Sequence, residues 1–211
     1  MTKIWLITGA NSGFGRAIAE AALAAGGTVV AAARRPETLD DLVARHPGRV
    51  NAVALDVTDR AQAADVVADA VLWHGRVDVL VNNAGRGVIG AVEETTDREL
   101  RDLMDLHFFG PAALTRAVLP HMRRQGSGAI VQMSSMGGRF SLPGVGAYSA
   151  TKFALEGLSE VKMGCRGGNR PGTMDVEGNE IGRRGKDAKP SNAQQPFRSR
   201  EPPKDVTRPD A

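Results

Sequence analysis

Residues Lys3–Gly27, KIWLITGANSGFGRAIAEAALAAGG, decide how the rest of the chain is read. Lys3–Thr8 is a short, nearly continuous apolar run, the pattern of a central parallel strand buried on both faces. It leads straight into Gly9-Ala10-Asn11-Ser12-Gly13-Phe14-Gly15, and the RAIAEAALAAGG that follows is a helical pattern closed by Gly26 and Gly27. A strand, a glycine-rich turn and a helix N-terminus together make an anion site. Backbone N–H groups and the helix dipole point at a phosphate, and the glycines let the backbone approach it. The spacing is Gly-x-x-x-Gly-x-Gly, which differs from the Gly-x-Gly-x-x-Gly dinucleotide fingerprint. Its place after the first strand and at the head of a helix still points to nucleotide binding.

Strand and helix signals alternate from there. Thr28–Ala33 predicts a second strand, Glu37–His46 a helix, Val50–Leu55 a third strand, residues 61–73 a helix and Val77–Val81 a fourth strand. Repeating βα units predict an α/β, doubly wound parallel sheet with helices on both faces. Ligands of such sheets sit outside the carboxyl ends of the strands. That edge collects Gly9–Gly15, Arg34 and Arg35 after strand two, Asp56 and Val57 after strand three, and Asn82-Asn83-Ala84-Gly85 after strand four. Small residues and side-chain amides suit a strand end that passes close to a bound ring system. A site specific for NAD would place a carboxylate after strand two, against the ribose 2′-hydroxyl. Two guanidiniums and no carboxylate favour a 2′-phosphate, hence NADP over NAD.

Residues 96–125 read as mostly helical, with Pro111 near a helix start and Pro120 expected to bend the far end. Ala129–Met133 predicts a fifth strand that delivers Ser134 and Ser135 to the same edge. Tyr148–Glu160 predicts a helix with an apolar face at Phe153, Leu155 and Leu158. Tyr148, the only tyrosine, stands at its start, and Lys152 follows one turn later on the same face. An ammonium beside a phenol favours the phenolate, which is how a tyrosine becomes an acid/base near neutrality.

Composition bounds the class. A chain of 211 residues with 42% apolar content has the size and balance for one globular α/β domain with a sizeable core. A single cysteine, Cys165, excludes an internal disulfide framework and a multi-cysteine zinc site. No metal is expected, and a cytoplasmic location follows as the default. The N-terminal apolar run is too short for a signal sequence, and no stretch approaches eighteen apolar residues, so no membrane span is expected. Residues 1–161 carry a net charge of −1, whereas 162–211 carry +4. In that tail 11 basic residues are interspersed with 7 acidic ones and one aromatic, Phe197, which argues against a nucleic-acid partner.

Taken in order, Thr8-Gly-x-x-x-Gly-x-Gly15, Asp56, Asn82-Asn-Ala-Gly85, Ser135 and Tyr148-x-x-x-Lys152 resemble the short-chain dehydrogenase/reductase family over residues 3 to about 160. The resemblance implies a Rossmann-like NAD(P)-binding domain over residues 1–161. It also implies hydride transfer between nicotinamide and a small carbonyl or secondary-alcohol substrate. By position, Tyr148 would be the general acid/base, and Lys152 would lower its pKa and bind the nicotinamide ribose. Ser135 would hydrogen-bond the substrate oxygen as charge develops on it. Where the family usually has asparagine, this chain has His107, whose imidazole could hydrogen-bond a relay water.

The family pattern stops near Val161. Residues 162–211 hold 10 apolar residues and 13 that are glycine or proline, a composition expected to be disordered. The family's sixth and seventh strands are expected to be missing, which makes strand five an edge and removes a wall at the nicotinamide end of the cleft. Homo-oligomers of the kind common in the family would be weakened. The abrupt change in composition is what a truncated or frameshifted reading after about Glu160 would give. A catalytically inactive remnant, or an interaction protein that at most binds nucleotide, is therefore the alternative to an active oxidoreductase.

Overall fold

The computed structural model of the chain describes residues 2–160 together with the two short strands Thr173–Met174 and Glu180–Ile181, which pair antiparallel. The expectation of a disordered tail over 162–211 otherwise falls outside the described residues.

The apolar runs form a five-stranded, all-parallel sheet of β1 (Ile4–Thr8), β2 (Thr28–Ala33), β3 (Val50–Ala54), β4 (Val79–Asn82) and β5 (Ala129–Gln132). Its order is β3-β2-β1-β4-β5. The chain therefore steps outward from β1 on one side, then returns to start again at β4 on the other. The connections that leave β1 and β4 lead to helices on opposite faces of the sheet, and ligand crevices form at such a switch point. β2 and β4 are buried along their whole length, because side chains alternate between two apolar layers. Leu6, Val30, Ala32, Leu80 and Ile130 pack with α3 (Arg60–His74) and α5 (Gly110–Gln125). Ile7, Val29, Ala31, Val79 and Val81 face α1 (Gly13–Ala24) and α2 (Asp40–Arg45). β5 is the last strand of the hydrogen-bonded sheet among the described residues.

Several expected boundaries change. The helix expected over Glu37–His46 is a 3-10 turn, Pro36–Leu39, followed by the short α2. Residues 96–125 divide into α4 (Asp97–Met104), a π-helical turn (Asp105–Phe109) and α5. Thr96 and Glu99 cap α4 reciprocally. Pro120 lies inside α5, which runs on to Gln125. The wide turn comes where the helix crosses the loop after β3: a Cβ on Gly110 would stand 2.5 Å from the Val57 carbonyl oxygen. π-Turns often mark functional sites, and this one buries His107, 1% exposed, beneath the crevice.

The last helix among the described residues, α6, spans Gly146–Glu160. Of its expected apolar face only Leu155 is buried, Leu158 is half-buried, and Phe153 is 46% exposed. Phe153 and Leu155 are two residues apart and cannot share a helix face. The buried positions are instead mostly polar: Ser149, Thr151, Lys152, Glu156 and Ser159.

Two glycines of the first turn separate packing from conformation. A Cβ on Gly15 would lie 2.2 Å from the Gly9 carbonyl oxygen and 2.4 Å from Asn83 Nδ2, whereas Gly13 has open space but a φ of +54°. Gly15→Ala is expected to lower stability by about 3 kcal/mol and Gly13→Ala by about 1 kcal/mol. Urea midpoints of the two variants check the difference.

Candidate active site

A cavity of about 830 Å³ opens at the carboxyl edge, across the β1/β4 switch point. At one end lie Gly9, Asn11, Ser12, Gly13 and Phe14. Ser12 is the N-cap of α1, and its side chain caps none of the helix N–H groups. The open space over Gly13 thus leaves a positive helix end facing the cavity. Arg34 lines the same region, as do Asp56 and Val57. The Asp56 carboxylate accepts from the backbone N–H (3.0 Å) and the hydroxyl (2.7 Å) of Thr58, and those bonds hold it below the usual carboxylate range.

Asn83, Ala84 and Gly85 line the middle of the cavity. The Asn83 amide does not point outward, because its Nδ2 donates to the carbonyls of Thr8 (2.9 Å) and Gly9 (3.3 Å). Three residues expected at the ligand are not in the lining. Asn82 is buried, and its Nδ2 donates to Gln132 Oε1 at 3.0 Å and Thr115 Oγ1 at 3.4 Å, so it braces β4 against β5 and α5. Gly15 lies beneath the turn, where only hydrogen fits. Arg35, exposed, stands next to Arg34 but outside the cavity.

At the other end the cavity meets Ser135, Tyr148, Lys152 and His107. Tyr148 and Lys152 sit one turn apart on α6, and Lys152 Nζ is 5.8 Å from the Tyr148 ring centroid. Lys152 is only 6% exposed, and its ammonium donates to the Met133 carbonyl at 2.8 Å. Burial pushes its pKa from 10.5 down to about 8, with Glu156 opposing the shift. Ser135 Oγ accepts from the Gly137 N–H at 3.1 Å, and its own proton remains to be donated.

His107 departs most from the sequence reading. Its Nε2 accepts from the Arg86 N–H at 3.1 Å, and its Nδ1 lies 2.9 Å from Thr151 Oγ1. Both ring nitrogens are taken, so neither is left to hold a relay water. Burial, then the charges of Lys152 and Arg86, lower its pKa to about 4, and the ring is neutral at pH 7. The ring stands edge-on to Tyr148, with centroids 5.4 Å apart.

The sequence reading missed Arg86, Met133 and Thr151. Thr151 was legible as the polar residue inside Tyr-x-x-x-Lys. Met133 and Arg86 act through backbone groups, which carry no side-chain signature.

These residues suit a nicotinamide dinucleotide: an uncapped helix end for phosphate, a cation beside it, and a buried ammonium with a phenol at the far end. Among the described residues no helix is long and apolar enough to cross a membrane, and no cluster of potential metal ligands occurs.

A family described as short chain dehydrogenase matches residues 3–163. Oxidoreductase BOA17 of Botryotinia fuckeliana is 46% identical over 162 residues, which are 76% of this chain and 59% of that protein. A crystal structure of a short-chain dehydrogenase from Streptomyces avermitilis is 64% identical with a TM-score of 0.75, covering 76% of this chain and 59% of that one. A short chain dehydrogenase/reductase from Burkholderia phymatum in complex with NAD is 31% identical with a TM-score of 0.77, covering 82% of this chain and 65% of that one. The chain thus spans less than two thirds of the length of these relatives.

The buried ammonium gives a pH test. Lys152 takes up its proton less readily when folded, so between pH 8 and 10.5 the unfolded chain binds a proton that the folded chain lacks, and stability rises with pH. Below pH 8 the charged form carries the full burial penalty, roughly 3 kcal/mol. Lys152→Met is therefore expected to equal or exceed the parent in stability at pH 7 and to lose that advantage toward pH 10.5, read by denaturant unfolding at each pH.

Proposed function

Because the chain belongs to the short-chain dehydrogenase family, we propose that it is an NADP-dependent oxidoreductase acting on a ketone or secondary alcohol. The observation that carries this reading is the Tyr148–Lys152 pair, one turn apart at one end of a cavity whose other end is the bare α1 N-terminus. The nicotinamide cofactor supplies or accepts the hydride. Tyr148 gives a proton to the substrate oxygen, or takes one from it. Lys152, fixed by the Met133 carbonyl, stabilises negative charge on the phenol oxygen. The Ser135 hydroxyl donates to the substrate oxygen as charge gathers there. In the ground state Asp56, held ionised by Thr58, is an acceptor at the far end, and Arg34 is the cation closest in sequence to the end of β2.

The choice of NADP rests on Arg34, which lines the cavity, and not on Arg35, which does not. The Burkholderia relative is in complex with NAD, so the fold by itself does not favour NADP, and Arg34 is the residue that supports that reading. Arg34→Asp is expected to raise the Kd for NADPH about tenfold or more and to leave that for NADH within about threefold, a loss typical of one charge-assisted contact. Fluorescence titration with each nucleotide gives both numbers. If NADH binds more tightly than NADPH to the parent chain, the NADP reading is wrong.

Turnover is tested by assaying a panel of ketones with NADPH and Tyr148→Phe. The expected loss in kcat is 100-fold or more, with NADPH binding retained. Nucleotide binding without turnover on any ketone, unchanged by Tyr148→Phe, would instead support a nucleotide-binding protein that is catalytically inactive.

A further inference from the structure

We propose that His107 is a positioning residue that couples the cavity loop after β4 to the helix carrying Tyr148, through one directed chain of hydrogen bonds. The inference rests on the role given above to Tyr148, and its geometry is independent of which substrate is used. The Arg86 N–H can only donate, so His107 Nε2 must be the acceptor, at 3.1 Å. The ring proton is then on Nδ1 and is donated to Thr151 Oγ1 at 2.9 Å. Thr151 in turn donates its own proton to the Tyr148 carbonyl at 2.7 Å. Each group has one role, and the three bonds run in one direction from the loop to the helix.

Three further observations place this chain at the site. The imidazole stands edge-on to the Tyr148 ring at 5.4 Å, so it meets that side chain directly and reaches the Tyr148 backbone through Thr151. A Cβ on Gly85 would come within 3.1 Å of His107 Nε2, so the loop lies directly on the ring. Arg86, Tyr148 and His107 all line the cavity. An imidazole spans the gap because its two nitrogens lie on opposite sides of the ring. A primary amide reaches only one partner: asparagine can replace Nδ1, and glutamine can replace Nε2. The two halves of the bridge can therefore be cut separately.

The test uses the full chain, NADPH as the binding probe, and the ¹³Cζ resonance of the single tyrosine as a substrate-free report on Tyr148. Thr151→Val keeps the shape and removes the hydroxyl. It is expected to displace the Tyr148 resonance beyond its linewidth while NADPH affinity stays within about twofold, and Thr151→Ser is expected to restore the parent position. His107→Asn, which keeps the donor to Thr151, is expected to weaken NADPH binding about five- to tenfold, the effect of one lost hydrogen bond. His107→Gln, which keeps the acceptor for Arg86, is expected to bind NADPH within about twofold of the parent. If Thr151→Val does not fold by circular dichroism, Thr151→Ala is read in the same way. A folded Thr151 variant with an unmoved Tyr148 resonance, or equal NADPH affinity in the Asn and Gln variants, overturns the proposal. Absence of ketone turnover in the parent would sink the oxidoreductase reading alone, since neither readout here depends on it.

Discussion

The carboxyl ends of β1 and β4 are held together by a small polar junction on which the crevice depends. Thr8 Oγ1 accepts from the N–H groups of both Asn83 and Ala84 at 3.0 Å and donates to the Val81 carbonyl at 3.3 Å. In return the Asn83 amide takes the carbonyls of Thr8 and Gly9. Where the ladder between two parallel strands ends, backbone groups lose their ladder partners, and burying them unpaired costs free energy comparable to a lost hydrogen bond. Thr8 and Asn83 supply the missing partners from side chains. The first turn is fixed at Gly9, with its φ of +65°, and Gly15 can slide beneath it. The α1 N-terminus is aimed by these contacts, not by its own cap.

At the far end the economics of folding are reversed. Helix α6 buries serines, a threonine, a lysine and a glutamate and contributes little apolar surface beyond Leu155. A helix docked for stability alone would carry leucine at those positions. Lys152 is kept under about 94% of burial with its ammonium on the Met133 carbonyl, and the resulting pKa near 8 records the strain of that placement. Local rules are broken most often at functional sites. Close approach of Gly137 and Gly138 to Tyr148, Ser149 and Glu156 gives the helix its seat in place of an apolar face.

Much of this was legible in the residues. The strand–glycine–helix order of Lys3–Gly27 and the alternation that follows predicted the parallel sheet, and five strands form close to the expected places. Gly13, Arg34, Asp56 and Ser135 all line the cavity, a proximity that sequence order alone implies because strand ends of a parallel sheet share one edge. Errors came where periodicity is silent. Apolar character alone places Phe153 on a buried face, although the face is set by what α6 packs against. The π-turn at Asp105–Phe109 has no sequence period of its own.

The sequence by itself determined the fold class, the edge on which the cavity opens and the placing of Tyr148 and Lys152 one turn apart on one helix, because each depends on local spacing along one strand or helix. Tertiary structure decided which of the candidates face the crevice. Asn82 and Asn83 are adjacent and chemically identical, yet strand alternation sends one into the α5 layer and leaves the other at the β1 junction. Arg34 and Arg35 divide in the same way. It also decided what His107 does, since a histidine's role is set by the two partners its nitrogens meet. Those partners, the Arg86 amide and the Thr151 hydroxyl, lie 21 and 44 residues away in the chain.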